Sequence, residues 1–123
     1  MLAGEIIMKL PPKVQNQITQ FEQVRQQLQM LTTQRIQVES QLRELENSLE
    51  ELKNSSKNAI IYKKVGALLV KVDDKKDLKN SLTDQKETFD VRLQTLERQE
   101  KQLKERYMDL QKEISKAVQE IEQ

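Results

Sequence analysis

A chain of 123 residues that is 33% charged and only 36% apolar falls below the apolar share of roughly 45–50% found in ordinary globular domains, which argues against a large rounded core. Two Gly, two Pro and no Trp leave little turn-forming material and favour a few long elements over many short ones. The 21 basic and 20 acidic residues, net +1, are interleaved along both halves, so no strong one-signed field points to nucleic acid or an anionic membrane, and near-neutrality with periodic apolar residues argues against disorder.

The opening Met1 to Leu10 stretch lacks the basic start and long apolar centre of a signal peptide, and Met8 is a second candidate start. Pro11 and Pro12 mark the first boundary, because proline suits a first helical turn. A helix is expected over 12–53. From Phe21 its apolar residues fall at Val24, Leu28, Leu31, Val38, Leu42, Leu45, Leu49 and Leu52, alternating steps of three and four. This is an a/d heptad seam broken only by Arg35. Upstream, Ile18, Phe21 and Val24 are spaced three and three, a local overwinding.

The pattern stops at Asn54-Ser55-Ser56-Lys57-Asn58, whose side chains favour turns. Residues 59–72 read AIIYKKVGALLVKV, rich in β-branched residues with Gly66 at the middle, and predict a β-hairpin turning near Val65 and Gly66. Asp73 and Asp74 offer an N-cap for a second helix over 74–122. Its seam runs through Leu78, Leu82, Gln85, Phe89, Leu93, Leu96, Glu100, Leu103, Tyr107, Leu110, Ile114, Ala117 and Ile121, with a step of four repeated before Leu93 that locally unwinds the supercoil.

The fold class expected is mainly α: two long helices in an antiparallel coiled coil, positions summing to about 128 facing each other, joined by one hairpin. A parallel rod of two chains is the alternative. Ile60, Ile61, Tyr62, Val65, Leu68, Leu69, Val70 and Val72 put apolar groups on both faces of the hairpin, more than one helix pair can cover, and its edges are open. Several copies sharing a sheet or barrel would resolve this; the other reading folds the hairpin over its own helices. At the opposite ends of the helices, Met8, Leu10, Val14 and Ile18 face Ile114, Ala117, Val118 and Ile121. These are either ordinary seam residues at fraying ends or an apolar tip suited to adaptable contacts.

With no His and no Cys, imidazole- and thiol-based catalysis, thiolate metal sites and disulfides are excluded, and the composition suits a reducing cytoplasm. Two glycines cannot make a phosphate loop. Acidic pairs such as Glu50-Glu51 and Asp73-Asp74 read as solvated helix or cap residues. Lys75, Lys76, Arg98, Lys101 and Lys104 read as partners in helical i to i+3 and i+4 pairs. No enzyme, metal or cofactor is expected, and no apolar run reaches the roughly 18 residues that span a bilayer. A structural or tethering coiled coil is the rival to any client-binding function.

The hairpin AIIYKKVGALLVKV, above all Ile61-Tyr62-Lys63-x-Val65-Gly66-x-Leu68-x-Val70-Lys71, preceded by LPPKVQNQ and followed by VRLQTLERQEKQL, resembles the β-class subunit of archaeal prefoldin over essentially the whole chain. The resemblance implies a chaperone of two α-class and four β-class subunits, hairpins joined into a double β-barrel, and six coiled-coil tentacles whose tips capture unfolded polypeptides without nucleotide and deliver them to a group II chaperonin. It implies that the hairpin from Ile60 to Val72, Gly66 included, makes assembly contacts and that the apolar tip residues contact client.

Overall fold

The computed structural model describes residues 9–122. The first helix, α1 (Pro12–Asn54), starts where the prolines require it. The Pro11 carbonyl accepts the backbone N–H of Val14 at 2.9 Å and of Gln15 at 3.1 Å, so Pro11 caps the helix and Pro12 occupies the first helical position, where a missing N–H costs nothing. The Gln15 side chain donates back to the Leu10 carbonyl at 2.8 Å, closing the chain over this end.

Strands β1 (Tyr62–Val65) and β2 (Leu68–Lys71) form a two-stranded antiparallel sheet pairing Tyr62 with Lys71, Lys63 with Val70, Lys64 with Leu69 and Val65 with Leu68. The turn is therefore the dipeptide Gly66-Ala67, one residue later than expected. Gly66 has φ +60° and Ala67 a negative φ. A positive φ at the first central residue alone is the II′ pattern, whose twist matches the flanking strands, and it is why the glycine must lead the turn.

The second helix, α2 (Lys75–Glu122), begins at Asp74, whose Oδ1 accepts the backbone N–H groups of Lys76 at 3.0 Å and Asp77 at 3.2 Å. Of the two aspartates offered by the sequence, the second is the cap. Helical threonines such as Thr33 and Thr95 donate their hydroxyls to the carbonyl four residues back, the local bond open to a threonine inside a helix.

The chain divides into two compact units. One contains the chain up to Arg35 with Leu96 onward. Here α1 and α2 pack antiparallel: Phe21 stacks on Tyr107, ring centroids 4.6 Å apart, and Gln17 and Arg106 donate across the pair to Glu113 and Gln20. Phe21 and Tyr107 are level in the register expected. Leu10, Val14, Leu96 and Leu110 are buried in this unit, Leu110 completely. The other unit, Ile36–Thr95, buries Val38 and Leu42 and holds the hairpin. In it Lys75 Nζ donates to the Ser56 and Lys57 carbonyls, both at 3.0 Å, tying the connector after α1 to the start of α2. Lys75 was expected in a pair along its own helix; at the first helical position it instead reaches the connector's carbonyls.

Candidate functional site

Among the described residues, six of the eleven exposed large apolar side chains, Ile60, Tyr62, Val65, Leu68, Leu69 and Val70, lie in or beside the hairpin. The pairing alternates its side chains between two faces: Tyr62, Lys64, Leu69 and Lys71 on one, Lys63, Val65, Leu68 and Val70 on the other. All eight strand residues are exposed, with Leu69 71% and Leu68 67% accessible although they point to opposite sides. Ile60, just before β1, is also exposed, while Ile61 and Val72 are half-buried. Both faces thus remain uncovered by the chain's own helices, contrary to the reading in which the hairpin folds down over them.

The edges are open as well. The Val72 amide donates to the Ile61 carbonyl at 2.9 Å, and by the alternation of antiparallel pairing the backbone groups of Tyr62 and Lys64 on β1, and of Leu69 and Lys71 on β2, point outward. Such edges accept another strand. At the hairpin's root an open groove is lined by Leu52, Ile60, Ile61, Tyr62, Leu78 and Leu82, which continues the apolar surface onto the helices.

The second group of predicted residues is less exposed than its sequence pattern implies. Met8 lies outside the described residues. Leu10 is expected ahead of the helix and Val14 on its apolar stripe, as ordinary seam residues or as part of an apolar tip; both are buried, at 4% and 6% exposure. The carbonyl of Leu10 is held by Gln15, which brings this residue back against the helix it precedes. Ile18, Ile114, Ala117 and Val118 are half-buried and Ile121 is 46% exposed. A partly open apolar strip therefore remains on the last turns of α2 and the facing part of α1.

An ion pair in the seam was not foreseen. Arg35 Nε donates to Glu100 Oε2 at 2.7 Å, and Lys104 Nζ lies 3.3 Å from Glu100 Oε1. Glu100 is the buried charged residue among those described, at 6% exposure. The Arg35 hydrogen bond holds its carboxyl below the usual 4.5; burial pushes the other way, and Lys104 adds to the lowering. The signal was present in the sequence as two seam positions of opposite charge on different helices. Among the described residues there is no group of three or more acidic, His or Cys residues placed to hold a metal, and no helix is long and apolar enough to cross a membrane.

Residues 15–121 match the family described as "Prefoldin subunit". The chain is 46% identical over 106 residues to the prefoldin subunit beta of Archaeoglobus fulgidus, covering 86% of this chain and 90% of that protein. It is 41% identical over 110 residues to that of Methanosarcina acetivorans, covering 89% and 93%. The chain belongs to the prefoldin β-subunit family. The crystal structure of the prefoldin beta subunit from Thermococcus strain KS-1 superposes with a TM-score of 0.78 at 38% identity, covering 89% of this chain and 96% of that one. Prefoldin subunits are chaperone subunits that assemble with one another, and the match takes in the whole exposed hairpin. Leu10 and Val14 precede the matched residues, whereas Ile18, Ile114, Ala117, Val118 and Ile121 lie within them.

Proposed function

We propose that the chain is an ATP-independent holdase subunit, acting as one unit over residues 1–123, that captures unfolded polypeptides and passes them to a group II chaperonin. In this reading Ile60, Ile61, Tyr62, Val65, Gly66, Leu68, Leu69, Val70 and Val72 are assembly residues. They join an α-class prefoldin subunit and other β copies in an α2β4 hexamer through a shared β-barrel, in the cytoplasm, with no cofactor, nucleic acid or membrane. The observation that carries the reading is the family match across residues 15–121, which spans both helices and the hairpin together.

Client contact falls to the apolar ends of the helices. Ile18, Ile114, Ala117, Val118 and Ile121 supply the accessible strip, and Met8, Leu10 and Val14 complete the proposed client-contact set. Contacts of this kind are non-directional and tolerate many sequences. Each end binds weakly, on the order of millimolar to micromolar, and several ends on one client multiply the retention.

The test is light scattering of a chemically unfolded client diluted into the complex with its α-class partner, without nucleotide. The full chain is expected to suppress aggregation near stoichiometry. A chain lacking the residues before Val14 and after Glu113 is expected to assemble normally by sedimentation and to protect poorly. Full protection by that shortened complex would remove the helix ends from the mechanism, and no protection by the intact hexamer would leave a tethering coiled coil.

A further inference from the structure

Most of the seam says little about which helix should pair with which. Leucines at heptad spacing on both helices can pack against each other in either direction and between copies as well as within one chain. Arg35 is the one charged residue in the α1 seam from Phe21 to Leu52, and Glu100 is its acidic counterpart on α2. Their contact depends on direction. With Phe21 level with Tyr107, Glu100 is level with position 28, seven residues and roughly 10 Å from Arg35 along the axis. Helical side chains lean toward their own N-terminus, so in an antiparallel pair these two lean toward each other, and the gap closes to 2.7 Å.

Pairing of like helices does not offer this. A parallel pair of two α1 helices in register sets Arg35 against Arg35, and a pair of two α2 helices sets Glu100 against Glu100. In either case like charges meet where the side chains are now only 24% and 8% exposed, a place where an unmatched charge is strongly disfavoured.

We propose that Arg35 and Glu100 are partner-selecting residues, which favour the pairing of α1 with α2 and bar the pairing of like helices between copies of the chain. Their role is choice more than strength, since replacing a buried ion pair by apolar groups of similar size is often neutral or stabilising. The inference concerns helix pairing and is independent of client binding.

The chain has no cysteine, so Gln17→Cys gives a single reporter thiol. In otherwise unaltered full-length chain, a short thiol cross-linker is expected to give only background product between copies. Adding Arg35→Leu with Glu100→Leu is expected to raise that product by about tenfold or more, with an unchanged or higher thermal midpoint. Background product together with a lowered midpoint would show a pair that only stabilises, and would overturn the proposal. If the double variant loses its helical circular dichroism, a split-charge experiment decides. One chain carries Arg35→Glu and Gln17→Cys; the other carries Glu100→Arg and Glu113→Cys. Product joining positions 17 and 113 of different chains is expected about tenfold above either chain alone when the two are mixed. Equal product with and without mixing overturns the inference.

Discussion

Replacing Tyr62 and Leu69 by aspartate tests whether the hairpin is an assembly surface. The two lie on the same face and diagonally across the strands, at 59% and 71% exposure. Full burial of such a side chain stabilises by ~1.5–3 kcal/mol, so with about two-thirds of that unrealised in the single chain, each holds ~1–2 kcal/mol for a partner to realise. Aspartate forfeits this and adds the cost of burying an unpaired charge, several kcal/mol for each. A loss of roughly 5 kcal/mol per contact weakens association by more than about a thousandfold at 1.4 kcal/mol per decade. Because both residues are exposed in the single chain, the helices should keep their circular dichroism. Sedimentation velocity with the α-class partner is expected to show small species in place of the hexamer. An unchanged mass would remove this face from the assembly; Leu68→Asp with Val70→Asp then examines the other face in the same way.

The depressed carboxyl of Glu100 gives stability a pH dependence. Its pKa lies below the ordinary 4.5 in the folded chain because Arg35, then Lys104, favour the charged form; the contribution is therefore full above about pH 5 and is lost as pH falls through the folded-state value. The thermal midpoint of Glu100→Gln is expected to fall less between pH 6 and pH 3 than that of the parent chain, and parallel curves would refute the assignment. Leu110, with no exposed surface, is expected to lose about 2–5 kcal/mol on Leu110→Ala, a drop of the order of 10 °C or more in the midpoint. Met108→Ala, at 57% exposure two positions away, should move it little, and equal shifts would refute the assigned packing. At Gly66 an added Cβ meets nothing within 4 Å, so the cost of Gly66→Val is that of a β-branched residue at φ +60°, about 1–3 kcal/mol. Assembly measured by sedimentation should weaken more for Gly66→Val than for Gly66→Asn, which tolerates that region; equal weakening would refute the turn's role.

The two helices and the hairpin were legible because each carries a period and a punctuation mark of its own. Heptad steps end at the Asn54–Asn58 cluster, β-branched residues follow, and an aspartate precedes the next heptads. The turn was displaced by one residue because composition locates Gly66 but only the backbone requirement of a two-residue turn decides that it comes first. The Arg35–Glu100 pair escaped a level-register reading, which sets Arg35 opposite Leu93. Side chains that lean toward one another reach about two seam layers further than such a ladder suggests. Burial of Leu10 was equally hidden, since a residue before a proline pair reads as lying outside the helix, and nothing local indicates that Gln15 holds its carbonyl.

Few residues in either unit are enclosed on all sides. A pair of helices leaves most of its seam half-covered, as at Val24, Leu28, Leu45 and Leu49, so each contributes less than a residue in a globular core. The hairpin gains less still, because all eight of its strand residues remain accessible, and an isolated hairpin is marginal in water. The single chain therefore leaves the apolar area of Tyr62 to Lys71 uncovered. In the proposed assembly, the surface that makes the hairpin costly to keep in a single chain is the surface that meets the partner, and the open edges at Tyr62, Lys64, Leu69 and Lys71 would let that partner add backbone hydrogen bonds as well as apolar contact. In that proposed assembly, ordering of this segment and association of the chains support each other, whereas the paired ends of the helices, with Leu110 sealed and Phe21 stacked on Tyr107, hold together within one chain.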